Sequence, residues 1–294
     1  MKIRLKDEKH VFNIHEEGIP FLSFDMLDRL GIPNLYSTRY ISYDSMTGEG
    51  VKGLRLAIMT GEDPAEARPV IYDNMSVLAG QLGASLDREC ITFQKHTTNV
   101  YTVTENDLGF DNLSSREIPI DGLVTNLPDV ALVAYGGDCP PVYIVDPVRK
   151  AIGLVHAGWR GTLGRIPAVA IKKMEYEFGC RPEDMYAAVG IGICEDCYEM
   201  GDEIFELFAE QWIEEDARQL MKRYPATGAD GEAVEKYHLN LIEANRLTLV
   251  RAGIPEDHIA LSNVCTCCNS DVFYSYRARR LENEQQAMLV NRFK

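Results

Sequence analysis

The feature that most constrains the fold is a pair of apolar runs, VYIV at 142–145 and AIGLV at 151–155, inside GGDCPPVYIVDPVRKAIGLVHAGWRG at 136–161. Two short runs rich in β-branched residues and separated by Asp146 and Pro147 read as a β-hairpin. With a four-residue loop at 146–149, Val145 stands opposite Lys150 and Cys139 opposite His156. Pro140 and Pro141 have no N–H to give a ladder, so regular pairing is expected to stop near Val142. Cys139 and His156 still leave the same end of the hairpin, roughly 5 Å apart between Cβ atoms where the pairing persists.

A thiol beside an imidazole admits three readings. It is a buried cysteine packed on a hydrogen-bonded histidine, or a nucleophilic dyad whose imidazole removes the thiol proton. The third reading is a half-built metal site, since thiolate plus imidazole suits zinc and, less exclusively, copper. Metal binding needs a further ligand. Of the six histidines, His10 and His15 lie in a polar N-terminal stretch, His258 follows Pro255 in a turn and His238 precedes a helix. That leaves His96, which follows the short apolar run 91–94 and so sits at a strand end, where sites on α/β scaffolds gather. Taken alone it also reads as an ordinary loop histidine.

Other strand-length runs occur at 54–59, 91–94, 131–135, 186–191, 259–261 and 273–276, which with the hairpin makes about eight strands. Ile71, Met75, Leu78 and Leu82 form a helical stripe that ends at Gly83. Further helices are expected over 166–178, stopping at Gly179, and over 202–224, with Phe205, Phe208 and Trp212 inward and Glu210, Glu214, Glu215 and Asp216 mostly outward. A fourth begins at Asn240, capped by its side chain with Glu243 reaching back, and finishes around Arg251 before Gly253 and Pro255. Strands and helices mix without strict alternation, so the class is α/β or α+β with mixed sheets, in one domain over residues 1–294.

Charge excludes some partners. Against 30 basic residues stand 45 acidic ones, a net charge of −15, and no Lys/Arg block is interleaved with aromatics, so nucleic acid is not an expected partner. No apolar stretch reaches membrane-spanning length, and MKIRLKDEKH lacks a signal-peptide core, so a soluble cytoplasmic protein with no membrane partner is expected. Reduced thiols are expected there. Among the eight cysteines, Cys194 and Cys197 form a CxxC, and Cys265, Cys267 and Cys268 form a CxCC. A structural zinc between them is conceivable. Glu195 and Asp196 inside the first pair, the unusual second spacing and the absence of knuckle glycines weigh against it, and no role is assigned to these five. After His156, Gly158, Gly161 and Gly164 precede a helix, and Arg160 adds a planar cation, a combination that suits an anion, although tight packing alone explains it too.

These motifs together resemble the laccase-domain, or polyphenol oxidase, family, regarded as purine nucleoside phosphorylases with adenosine deaminase activity. VHAGWRG at 155–161 is the most specific, and DCPPVYIVDP at 138–147 is similar to the family's DC-x-P-V-x-L-x-D-P. Gln94, Lys95 and His96 resemble its Q-x-H, GIGICEDCYEMG at 190–201 its G-P-x-I-x-x-x-C-Y-E-V-G, and Cys265 with Thr266 its C-T step. YSTR at 36–39 and FYSYR at 273–277 resemble the family's F-S-T-R and F-x-S-Y-R, so the likeness spans about residues 20–290.

The resemblance implies a single-domain layered α/β sandwich with mixed sheets, similar in architecture to the catalytic domain of cytotoxic necrotizing factor toxins. It implies a zinc held by His96, Cys139 and His156, three protein ligands with an open position as in catalytic zinc sites. The implied reaction is phosphorolysis of adenosine, inosine or methylthioadenosine, with adenosine deamination beside it, and the implied partners are nucleoside and phosphate. Phosphate then falls to Arg160, Gly158 and Gly161 as our own assignment, with Asn74 in a segment that relatives end as Asn-Arg. Here that segment ends Asn74-Met75, Ile191 replaces a proline, Leu239-Asn240-Leu241 replaces L-D-L, and the T-G-R after Arg277 is missing, with Arg279 and Arg280 nearby. If the missing arginine holds phosphate in relatives, either phosphorolysis weakens here while deamination persists or the nucleoside differs. Rival readings are a copper phenol oxidase, a metal-free Cys139/His156 hydrolase acting on cell-wall precursor amides, and an interaction protein with a retired site. The copper reading fits a mononuclear site poorly, because reducing dioxygen to water takes four electrons.

Overall fold

The computed structural model describes residues 1–56, 63–110, 118–227, 230–278 and 286–291, the last of these as backbone only. Two six-stranded sheets carry the fold. The central sheet runs Ile259–Leu261, Tyr186–Val189, Pro141–Asp146, Ala151–His156, Gly122–Thr125, Val100–Thr102. Its two outermost pairings are parallel and its inner three antiparallel. The second sheet runs Phe12–His15, Phe21–Phe24, Asn34–Ser37, Gln286–Asn291, Ala131–Gly136, Glu89–Ile91, antiparallel except for the last pair.

Alternation along the hairpin explains how the layers stack. Tyr143, Val145, Ile152 and Leu154 pack with Phe24, Tyr36, Leu132 and Ala134 of the second sheet. Their neighbours Val142, Ile144, Ala151 and Val155 meet Ile166, Ala170, Ile171 and Met174 of helix Ile166–Phe178 on the other face. The outer face of the second sheet, with Phe21, Leu35, Ile91 and Val133, is covered by Ile71, Met75 and Leu78 of helix Pro64–Gln81. The result is a helix, sheet, sheet, helix sandwich with mixed sheets. The hairpin strands are buried on both faces, which is why they read as unbroken apolar runs.

The hairpin register differs from expectation by two residues. Asp146 pairs with Ala151 and Pro141 with His156, so the loop is 147–150 and Cys139 lies beyond the ladder rather than opposite His156. The cause is Asp146, whose side chain accepts from the Val148 and Arg149 amides at 2.8 Å while its backbone stays in the strand. A two-residue shift keeps the pleat's parity, so Cys139 stays on the side that His156 occupies.

Other expected elements change too. The helix expected over 202–224 is two helices, Asp202–Gln211 and Glu214–Leu220, followed by strand Met221–Thr227. Trp212 leaves the helix in an extended conformation, its ring packed on Phe208 and its Nε1 donating to the Leu163 carbonyl at 2.9 Å. Asp216 is not outward but buried and salt-bridged to Arg251. Asn240 caps helix Leu241–Arg251 as expected, but the Glu243 carboxylate turns to Arg246 instead of reaching back. Residues 54–56 form no strand, and 57–59 lie outside the described residues. The run 273–276 forms no strand, and the Tyr274 hydroxyl donates to the Leu54 carbonyl at 2.7 Å.

Glu89 is fully buried, and neither carboxylate oxygen has a hydrogen-bond partner among the described residues. Burial raises its pKa to about 8. A raised carboxyl contributes its stability below the unfolded value near 4.5 and loses it as pH climbs through 8. Thermal unfolding between pH 5 and 9 should therefore show a declining stability that Glu89→Gln flattens; an unchanged slope in the variant would refute the assignment.

Candidate metal centre

The site is organised around Asp121, which is fully buried immediately before strand Gly122–Thr125. Its Oδ1 accepts from the backbone N–H of His96 at 2.9 Å and lies 3.0 Å from His156 Nδ1. Its Oδ2 accepts from the amides of Lys95 and Thr97 and from the Thr97 hydroxyl, at 3.1, 2.8 and 2.7 Å. This clamp holds His96 at φ 60°, a left-handed conformation that a histidine adopts at a cost. With Nδ1 turned to Asp121, His156 presents Nε2 towards the open side.

Cys139 completes the group from the loop that enters strand Pro141–Asp146. Its Sγ lies 3.9 Å from His96 Nε2, and the two imidazole rings are 4.9 Å apart at 68°. One ligand atom from each of His96, Cys139 and His156 falls within 4.8 Å of the other two. Gly158 is required by space rather than by its backbone, whose φ is −64°. A Cβ there would sit 2.7 Å from Cys139 Sγ and 2.9 Å from His96 Cδ2.

Electrostatics make the pocket a place for separated charge. Burial favours the neutral Cys139 thiol, but the His156 charge and hydrogen bonds from both histidines outweigh it and bring the pKa to about 6. Burial likewise opposes His156 protonation, and Cys139 together with Asp121 overcomes it, raising His156 to about 9. For Asp121, burial is outweighed by the hydrogen bonds from His156, Thr97 and Lys95, leaving it at about 2. In the metal-free pocket the two groups thus shift each other towards thiolate and imidazolium.

The remaining sequence candidates fall in different places. Arg160 is exposed on the five-residue helix Trp159–Leu163, its guanidinium stacked 4.2 Å over the Trp159 ring. A Cβ at Gly161 would stand 3.3 Å from the His156 carbonyl oxygen. Asn74 donates to the Arg55 carbonyl at 2.8 Å, and no described contact joins it to the three ligating side chains. Met75 beside it is buried in the apolar layer against the second sheet, so position 75 faces core in this chain. Arg277 binds the Asp138 carboxylate through its N–H and the Cys197 and Glu199 carbonyls through its guanidinium. Arg279 and Arg280 lie outside the described residues. Sequence reasoning missed Asp121, whose one local signal is an acidic residue abutting the apolar run GLVT at 122–125.

Residues 47–291 match the family model described as multi-copper polyphenol oxidoreductase laccase. The chain belongs to that family. Among its laccase-family relatives, "Adenosine deaminase RL5" from an unknown prokaryotic organism is 34% identical over 231 residues, 78% of this chain and 82% of the relative. "Purine nucleoside phosphorylase YlmD" from Geobacillus stearothermophilus is 31% identical over 229 residues, 77% of this chain and 79% of its own. The crystal structure of YlmD from that organism superposes with a TM-score of 0.79 at 27% identity, covering 97% of this chain and 100% of that one.

Two outcomes follow from the clamp and the spacing. Asp121→Asn should weaken zinc binding by about 10–100-fold, the usual cost of losing a carboxylate behind a ligating histidine, and Gly158→Ala should weaken it while leaving the circular dichroism spectrum unchanged; calorimetric titration of zinc reads both. In metal-free protein, alkylation of Cys139 by iodoacetamide should be half-maximal near pH 6 and suppressed by stoichiometric zinc. A midpoint near 9, or reactivity that zinc leaves untouched, would contradict the site.

Proposed function

We propose that this laccase-family chain is a zinc-dependent enzyme of purine nucleosides, cleaving inosine, adenosine or methylthioadenosine with phosphate and deaminating adenosine. The observation that carries the reading is the convergence of His96, Cys139 and His156 on one point with Asp121 bonded behind His156. Two imidazoles and one thiolate fit zinc, and a three-ligand set leaves a coordination position for substrate. When bound there, zinc supplies Lewis acidity, either polarising a substrate group or acidifying water to a pKa of about 7. The names of the RL5 and YlmD relatives supply the nucleoside chemistry.

The residues have distinct tasks in this reading. Asp121 fixes the His156 ring and its tautomer while holding the 95–97 turn that presents His96. Cys139 contributes negative charge that the adjoining imidazoles stabilise. Gly158 keeps the approach to Cys139 and His96 clear. Arg160, stacked on the adjoining Trp159 ring, takes phosphate in this reading, whose oxygen attacks the ribose anomeric carbon as the base departs. Copper on the same ligands remains the second reading because of the family's name. Among the described residues the other ligating cluster is four cysteines, with no histidine, which does not build the coupled copper centre that four-electron chemistry needs.

The deciding experiment follows base release and ammonia from a nucleoside panel, with and without phosphate, using metal-free, zinc-loaded and copper-loaded protein. Zinc- and phosphate-dependent release of hypoxanthine or adenine is expected. Arg160→Ala should raise the KM for phosphate about tenfold, roughly 1.4 kcal/mol of binding, with a smaller effect on kcat. Folded, zinc-loaded protein that is silent towards every nucleoside overturns the reading, and phenol oxidation confined to the copper form favours its rival.

A further inference from the structure

Away from the His96 cluster, the chain brings four thiols together. Strands Tyr186–Val189 and Ile259–Leu261 are parallel neighbours in the central sheet, and each is followed by a cysteine-bearing turn. Gly192 bridges to Cys265 in parallel register, and the Thr266 amide donates to the Gly192 carbonyl at 3.2 Å, so the two turns lie side by side. One carries Cys194 and Cys197. In the other, Cys265 and Cys268 are the pair that converges, with Cys267 outside it. The apparent CxCC is therefore a second CxxC with an extra cysteine inside, and the spacing objection raised by the sequence disappears.

The sulfurs have the dimensions of a single-ion site. Sγ of Cys268 lies 3.6 Å from that of Cys197 and 4.0 Å from that of Cys194, and all four fall within 4.8 Å of one another. Four thiolates at about 2.3 Å from a tetrahedral zinc stand about 3.8 Å apart. A four-iron cluster puts each thiolate on a different iron and spreads them further. The surroundings also favour anionic sulfur. The amides of Cys194 and Cys268 donate to Cys265 Sγ at 3.2 and 3.4 Å. The Lys6 ammonium lies against Cys194 and 3.8 Å from Asp196, bringing positive charge to the cluster.

We propose that Cys194, Cys197, Cys265 and Cys268 bind a second zinc ion in a closed tetrathiolate site. With four protein ligands it has no open position, so its role is to hold the two turns together. The turns in turn brace Cys139. Asp138, its neighbour, accepts at Oδ1 from the Thr266 and Ser275 hydroxyls at 2.6 and 2.7 Å and at Oδ2 from the Arg277 amide. Its carbonyl accepts from the Ile193 amide at 2.8 Å. The proposal stands independently of any nucleoside chemistry.

Zinc per chain, measured by mass spectrometry of the full-length protein, tests it. Cys139→Ser removes the one thiolate of the His96 cluster, so zinc retained by that variant and lost in Cys139→Ser/Cys268→Ser belongs to the four cysteines. The expected loss is one ion per chain, with a lower melting temperature. Should the double variant fail to fold, cobalt replacement in Cys139→Ser alone decides: strong thiolate-to-cobalt charge-transfer absorption is expected, and its absence overturns the site. Stoichiometric iron in place of zinc, equal zinc with and without Cys268, or a mass two hydrogens short per cysteine pair in protein prepared with reductant would each overturn it as well.

Discussion

One buried carboxylate joins the halves of this molecule. Gln94 is tied to the second sheet, its side chain accepting from the Tyr135 amide and donating to the Tyr135 carbonyl, both at 2.7 Å. One residue further on, the chain is held by Asp121, which belongs to the central sheet. His96 is therefore suspended between two sheets, while His156 ends a central strand. Truncating the Asp121 side chain would remove the acceptor shared by the Lys95, His96 and Thr97 amides and the Thr97 hydroxyl. That is why a group that is not itself one of the three candidate ligands positions both histidines.

Legibility in the sequence followed burial. Strands covered on both faces, such as 141–146, 151–156 and 186–189, announce themselves as continuous apolar runs, whereas edge and surface strands do not. Met221–Thr227 contains Pro225 and the adjacent charges Lys222 and Arg223, yet it forms an edge of a three-stranded sheet with Ala233–Leu239, where a proline is tolerated. Helices Pro64–Gln81, Ile166–Phe178 and Leu241–Arg251 were readable because a stripe, a cap or a following glycine marks each. The break at Trp212 was not, because it is set by a distant carbonyl, that of Leu163.

The same division holds at the site. The expected pairing of Cys139 opposite His156 fails, but the two side chains still come together because a two-residue shift preserves the face. His96 came by elimination and by family resemblance, and its ring lies within 4.8 Å of the Cys139 and His156 donor atoms. Asp121 was missed and the four-cysteine cluster was weighed against for one reason: both depend on which strands become neighbours. Two CxxC turns 71 residues apart meet because strands 186–189 and 259–261 pair in parallel.

The strand order carries a consequence for how the protein is made. Gln286–Asn291 fills the middle of the second sheet, between Asn34–Ser37 and Ala131–Gly136. The first three strands of that sheet can form a meander as soon as they emerge from the ribosome, but their continuation into the remaining two waits for residues some 250 positions later. The central sheet needs nothing beyond residue 261. During synthesis the nascent chain thus exposes an open, apolar sheet edge until its last described strand inserts, and that interval is when self-association or chaperone capture competes with folding.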